Sequence, residues 1–268
     1  MTSWQRTIKN IAMAFAILLA VGIISGIFGV IGLFDAIFDN DGVLKNIINY
    51  SVSQDIVELK VDIKAADFTI ANGDSFSVES NLEYLTVEEK GGVLTIKETK
   101  KFGFNNNNAT LTLTIPEGCI FENADIITGA GKLTIDTLST DKLRLKLGAG
   151  EVKIGELNAT LKSEIEGGAG KVSVNGGTLC NLDLDMGAGE LNLTSSLLGN
   201  SDLNYGVGEA NLVLIGTKDD YCIDFDKGLG NATVDGESMR DGSVYGTGQN
   251  RIDIDGGVGA VEVSFRQN

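Results

Sequence analysis

Gly129-Ala-Gly131-Lys-Leu-Thr-Ile135 opens a phrase that this chain carries seven times. It returns as Gly148-Ala-Gly150-Glu-Val-Lys-Ile154, Gly168-Ala-Gly170-Lys-Val-Ser-Val174 and Gly187-Ala-Gly189-Glu-Leu-Asn-Leu193. The later copies are Gly206-Val-Gly208-Glu-Ala-Asn-Leu212, Gly228-Leu-Gly230-Asn-Ala-Thr-Val234 and Gly257-Val-Gly259-Ala-Val-Glu-Val263. The first glycines lie 19, 20, 19, 19, 22 and 29 residues apart. Self-similarity at such a period marks a repeat architecture.

Each copy reads as two strands around a corner. Three positions before the first glycine stand Ile126, Leu145, Ile165, Leu184, Leu203, Phe225 and Ile254. One position further back stand Asp125, Arg144, Glu164, Asp183, Asp202, Asp224 and Asp253. After the corner, Leu133, Val152, Val172, Leu191, Ala210, Ala232 and Val261 share a face with the apolar residue two positions on. This is period-two alternation, one face in and one out. No apolar run keeps a helical period through the glycines. A unit of this size cannot bury its apolar face alone, so unit stacks on unit to form one core. The pattern predicts an all-β, parallel β-solenoid, with Gly-x-Gly at the bend where glycine tolerates unusual backbone angles. The middle residue of each corner is always apolar and is expected to point inward.

Gly-x-Gly also occurs in nucleotide-binding loops, but there a helix must follow so that its N-terminus meets the phosphate. A strand follows every copy here, so no cofactor is expected. After the second glycine come Lys132, Glu151, Lys171, Glu190, Glu209, Asn231 and Ala260. The sign alternates through the first four. Stacked at about 4.8 Å, these side chains become ladder neighbours that help to fix register.

The 268 residues carry a net charge of −16 and include no histidine. The commonest general base and metal-binding imidazole are therefore missing. The acidic balance argues against nucleic acid, whose binding rests on Lys and Arg at phosphates, and against adsorption to anionic lipid. Residues 10–34 contain no charge. As a helix they span a hydrocarbon core of about 30 Å. Arg6 and Lys9 precede this run, and Asp35, Asp39 and Asp41 follow it. The positive-inside rule then puts residues 1–9 in the cytoplasm and the rest outside. The run exceeds the apolar core of a signal peptide and no small-x-small cleavage site follows, so it reads as an uncleaved anchor. Within it, Gly22 and Gly26 form a small-xxx-small pattern suited to pairing with a second copy.

Residues 35–50 read as a juxtamembrane linker. Residues 51–123 read as an irregular N-terminal cap on the regular coils of 124–268. Leu59, Val61, Phe68 and Ile70 fit the repeat phase, with Lys64-Ala65-Ala66 in place of Gly-x-Gly. Residues 105–108 form a polar loop. Residues 237–250 lengthen the last spacing, and their Gly246-Thr-Gly248 has no apolar triplet after it, so they read as a loop between coils.

The outward acids before the corners, Glu164, Glu166, Asp183, Asp185, Asp202, Asp224, Asp226, Asp253 and Asp255, should form two adjacent columns. They are either a solvated face or a surface for a cation or cationic ligand, since hard cations take carboxylate oxygens. The dedicated glycine- and aspartate-rich calcium repeat is missing. Stacked like charges repel, so some compensation is expected. Cys119, Cys180 and Cys222 are an odd set that describes no disulfide framework; they read as small, buried or half-buried residues. Arg144 and Lys146 beside Glu164 and Glu166 admit a polysaccharide-lyase reading, and more simply a set of cross-coil ion pairs.

Leu59-x-Val61, Phe68-Thr-Ile70, then Leu111-Thr-Leu-Thr-Ile-Pro-Glu-Gly118 and the tandem Gly-Ala-Gly coils resemble a known family over about residues 51–265. It is the bacterial "putative adhesin" β-strand-repeat family, classified as domain of unknown function 4097. It is similar in turn to toast-rack domains of envelope-stress proteins. The resemblance implies a solenoid on the outer face of a mainly Gram-positive membrane, often linked to envelope-stress signalling. It supplies no catalytic motif, and fold analogy alone does not assign function. The expectation is therefore a membrane-anchored, non-catalytic binding, adhesion or scaffold module, meeting an envelope protein or wall polymer, with a plain surface spacer as the alternative. Protease added to intact, wall-stripped cells should degrade the repeat region. Protection until lysis would overturn the orientation.

Overall fold

Carbonyl oxygens occupy the space that side chains would need at each corner. A Cβ built on Gly148 would lie 1.9 Å from the carbonyl oxygen of Gly129, and one on Gly150 would lie 1.9 Å from that of Gly131. The same holds one coil on, where a Cβ on Gly189 would lie 1.8 Å from the Gly170 oxygen. Any side chain there would force the coils apart. In six of the seven copies the second glycine also adopts a positive φ, 137° at Gly170, which L side chains rarely adopt.

The computed structural model describes residues 47–53, 55–99, 109–226 and 228–267. The expected membrane span 10–34, its cytoplasmic lead 1–9, most of the linker 35–50 and the polar loop 105–108 lie outside the described residues. Among the described residues no helix is long and apolar enough to cross a membrane. The described residues are all-β apart from a 3-10 turn at Lys218–Asp220.

The copies stack in parallel and in register. Leu184 pairs with Ile165 on one side and Leu203 on the other, and Gly189 pairs with Gly170 and Gly208. The inward positions Leu145, Ile165, Leu184 and Leu203 before the corner, and Val152, Val172, Leu191 and Ala210 after it, are all buried. Each fully buried aliphatic side chain contributes roughly 1.5–3 kcal/mol. A third segment closes the coil: Gly177–Cys180 pairs with residues near Leu157 and again with 196–198, placing Ala159, Leu179 and Leu197 in one buried row.

Two expectations are corrected. The middle corner residue does not point inward. Ala149 is exposed, Leu229 is 46% exposed, and Ala130, Ala169, Ala188, Val207 and Val258 are half-buried. The residue before the first glycine turns in instead: Leu147, Met186 and Tyr205 are buried. The alternation shifts phase at the bend, from inward odd positions such as Leu145 and Leu147 to inward even ones such as Val152 and Ile154. The middle residue is left on the outer ridge, and it stays small or β-branched in most copies because equivalents stack directly, Ala188 between Ala169 and Val207.

The second correction concerns the order of the coils. Asn200–Ile215, the fifth copy, pairs with the seventh, Asn250–Arg266. The sixth, Tyr221–Asp226 and Leu229–Val234, pairs with the far edge of the seventh. The last coil of the chain therefore lies between the two before it. Residues 237–250 are not a simple loop. They supply Glu237–Ser238 and Ser243–Gly246, which run antiparallel along the outer edge of the sixth copy. The chain caps the end first and then returns to fill the slot.

The opposite end is built alike. Glu58–Ala65 and Asp67–Gly73 stack on the first copy, with Val61 opposite Ile126 and Ile70 opposite Ile135. Val93–Glu98 and Thr110–Pro116 add in parallel, and Leu85–Lys90, Ser77–Ser80 and Ile48–Ser51 follow antiparallel. Antiparallel strands at both ends interrupt the parallel edge along which solenoids would otherwise join. Where Lys64-Ala65-Ala66 replaces the glycines, the buried Glu98 carboxylate accepts the Lys64 and Ala65 N–H groups at 2.8 and 3.3 Å.

Gly170→Val should lower unfolding free energy by a few kcal/mol, through both overlap and backbone strain. Lys153→Ala, on the surface and paired only with Glu151, should change it by under about 0.5 kcal/mol. Equal losses in chemical denaturation would refute this account of the corner.

Candidate functional site

The strands before the corners form a wall with two outward columns. Because the copies are in register, the column four back from the corner reads Glu164, Asp183, Asp202, Asp253, Asp224 along the stack. The column two back reads Glu166, Asp185, Asn204, Asp255, Asp226. The sequence-predicted acids do come together, in an order set by the inserted last coil.

The wall has two electrostatic halves. Toward the N-terminal end the charges pair. Arg144 bridges Asp125 at 3.8 Å and Glu164 at 3.3 Å, Lys146 pairs with Glu166, and Lys162 reaches Glu164 at 3.7 Å. The Lys146 contact, by hydrogen bond first, holds the Glu166 carboxyl below its usual range. Arg144 and Lys146 thus stand as cross-coil ion pairs, the simpler of their two readings.

Toward the other end the acids outnumber their partners. Asp183, Asp202, Asp253 and Asp224 occupy four adjacent strands. Arg251 lies 3.6 Å from Asp253 and 3.9 Å from Asp224, and the Asn204 amide donates to Asp185 at 2.9 Å. Burial pushes the Asp183 carboxyl up, and Asp185, Glu164 and Asp202 push the same way against Lys162. Sequence reasoning missed Arg251 and Asn204. Asn204 had a positional signal, since it stands where its copy departs from the acidic column; Arg251 stands in the neighbouring column with Asn200 and Cys222, which carries no such pattern. Among the described residues no three acidic or thiol groups converge as metal ligands; the carboxylates line up rather than close around a point.

Beside the outer column runs an open furrow. Its rim carries Lys146, Glu166, Asp185, Asn204 and Asp255, its other side is the first-glycine column from Gly148 to Gly257, and Leu147, Met186 and Tyr205 lie beneath. The Tyr205 hydroxyl donates to the Gly189 carbonyl at 3.3 Å, and burial, then Glu209, pushes its phenol up.

The strands after the corners make a contrasting wall. Lys132 meets Glu151 at 3.9 Å, Lys171 meets Glu190 at 2.8 Å, and Asn211 donates to Asn192 at 3.0 Å. The alternating ladder read from the sequence is present there. Cys119, Cys180 and Cys222 are free and half-buried, and burial pushes the first two thiols up.

This chain belongs to the Toastrack DUF4097 family, whose model matches residues 56–240. No curated protein matches it. Among solved structures it is similar to a "putative cell adhesion protein" from Clostridium sporogenes, at 17% identity over 82% of this chain and 99% of that one, with a TM-score of 0.33. It is also similar to a "putative adhesin" from Bacteroides fragilis, at 14% identity over 82% and 98%, with a TM-score of 0.35. A "putative lipid binding protein" from Parabacteroides distasonis matches at 16% identity over 83% and 96%, with a TM-score of 0.28.

The raised Asp183 gives a pH test. Asp183 holds its proton more tightly folded than unfolded, so the stability it confers is present below the ordinary aspartate range and lost as pH rises through the raised value. Asp183→Asn should therefore melt at a higher temperature than wild type at neutral pH, and the two should converge below about pH 4. A lower melting temperature for the variant at neutral pH would contradict the crowding of these acids.

Proposed function

We propose that this Toastrack chain is a non-catalytic binding module of the bacterial cell envelope, tethered by residues 10–34 with its coils outside, and that its acidic wall is the contact surface. The partner is a basic patch on another envelope protein. The observation that carries this reading is the row Asp183, Asp202, Asp253, Asp224, which Arg251 and Lys162 partly offset. Like charges held side by side are unfavourable within the fold, and a basic partner relieves them. A rigid stack also suits recognition along a face, as other solenoids use their extended surfaces. A role in envelope-stress signalling would use the same contact.

The full chain in detergent, immobilised, should retain basic envelope proteins from a membrane extract. The variant with Asp183, Asp185, Asp224 and Asp226 changed to Asn should lose them. Retention should weaken as salt rises and the Debye length falls from about 10 Å at 0.1 M toward 3 Å at 1 M. Identical partners on both chains would sink the acidic-wall reading. No partner on either would favour a spacer, and calcium-dependent capture of wall polymer would move the surface to a cation-bridged polymer.

A further inference from the structure

Nine residues stand where one corner of the N-terminal cap needs only one. Val93–Glu98 and Thr110–Pro116 extend the two walls by a strand each, with Lys97 opposite Asp62 and Thr110 opposite Asp67. The same register sets Thr99 opposite Lys64 and Ala109 opposite Ala66, so residues 100–108 take the place of Ala65, the middle of the bend. They lie outside the described residues, and they read Lys100-Lys-Phe-Gly-Phe104 followed by four asparagines. Two cations and two aromatic rings are thus inserted at the corner edge, near the N-terminal end of the stack.

The same edge carries the furrow along its other half. The furrow begins at Lys146, which pairs with Glu166, and continues past Asp185, Asn204 and Asp255 over a bed of glycine α-carbons, Met186 and Tyr205. It holds about 850 Å³, room for several side chains, since pockets for small ligands run to about 300–1,000 Å³. Lysine heads suit its carboxylate rim, and phenylalanine rings suit its apolar bed. The chain's own insertion does not bring its lysines there. Lys100 and Lys101 follow Thr99 by one and two residues, so their α-carbons stay within about 7 Å of it. From Lys97 the stack passes through the strands of Asp62, Ile127, Lys146 and Glu166 before it reaches Asp185. Five steps at strand spacing come to about 24 Å.

We infer that the furrow takes Lys100–Phe104 of a second copy of this chain, the two copies lying antiparallel with their corner edges facing. Insertion and furrow occupy opposite halves of one edge. A two-fold axis near Ala149 therefore brings each insertion to the other copy's furrow, and the pair closes on itself. The ridge between them suits the approach: Ala130, Ala149 and Ala169 carry neither charge nor bulk, and Ala149 is exposed. The contact goes beyond the binding reading above and is separate from it, because Asp183, Asp202, Asp253 and Asp224 do not line the furrow.

The test mixes full chains in detergent, half of them isotope-labelled, with a carbodiimide that joins lysine to carboxylate without a spacer. Lys100 or Lys101 of one label should become linked to Asp185 or Asp255 of the other. Such links should form several times more often than links to Asp141 or Glu156, which lie beside the third segment of the coil. A second mixture combines a chain carrying Lys100→Glu and Lys101→Glu with one carrying Asp185→Lys and Asp255→Lys. Asp185 and Asp255 are exposed, so their exchange leaves the core intact. This mixture reverses the charges of one contact and keeps the other, so links from Lys100 or Lys101 to Asp185 or Asp255 should persist, and there they form only between copies. Links confined to one label, or equal linking to Asp141 and Glu156, would overturn the proposal. So would a second mixture that forms no such link.

Discussion

The corner carbonyl that fills the next coil's Cβ space governs this molecule. Hydrogen-bonded strands lie about 4.8 Å apart, and the bend carries the backbone so close along the stack that only hydrogen fits on the α-carbon. Gly131, Gly150, Gly170, Gly189, Gly208 and Gly259 meet this constraint in turn. Once the corners superpose, register follows on both walls, and every column of like positions follows from register. Where the glycines are missing, at Lys64-Ala65-Ala66, the stack changes character within one coil. A buried carboxylate from Glu98 takes two N–H groups of the bend, and antiparallel strands soon replace parallel ones.

Much of this was legible because a repeat writes each structural demand several times. The glycine pair, the inward triplet and the outward acids each recur, so chance could be excluded position by position. What recurs can still mislead. The apolar middle residue of the corner looked buried because it is uniform, yet its uniformity comes from stacking Ala188 on Ala169 along an exposed ridge. The true inward corner position holds Thr128, Leu147, Gly167, Met186, Tyr205 and Gly256. It varies because neighbouring coils share the space unequally: a Cβ on Gly167 would lie 2.2 Å from the Met186 sulfur.

Coil order was hidden for a different reason. All copies share one pattern, so the sixth could stack on the fifth as well as the seventh does: Asp224 would meet Asp202, and Gly230 would meet Gly208. Periodicity specifies register within a pair of coils but not which coils are paired. The choice falls to the connections. The 3-10 turn Lys218–Asp220, closed by Thr217 and Asp220 bonding each other, leads into a strand one place further along the stack. The segment 235–249 then spends its length on two antiparallel strands that only an end coil can accept. An outermost sixth copy is thus capped by its own continuation.

The two walls distribute charge differently. The wall after the corners intersperses signs, and its ion pairs and amide ladder satisfy one another. Solubility and register need nothing more than that. The wall before the corners follows the same rule as far as Glu164 and Glu166 and then abandons it. A solvated face could have carried Lys or Thr at Asp202 or Asp253 without disturbing a single core contact, since these side chains point outward. Instead the carboxylates stack, and burial first, then Asp185, Glu164 and Asp202, push the Asp183 carboxyl up. Surface ion pairs are each worth only about 0–1 kcal/mol, so the penalty is small enough for a fold with this much buried apolar surface to carry. A small, sustained penalty confined to one half of one wall fits the contact proposed above, because a basic partner would release the same repulsion that weakens the free molecule.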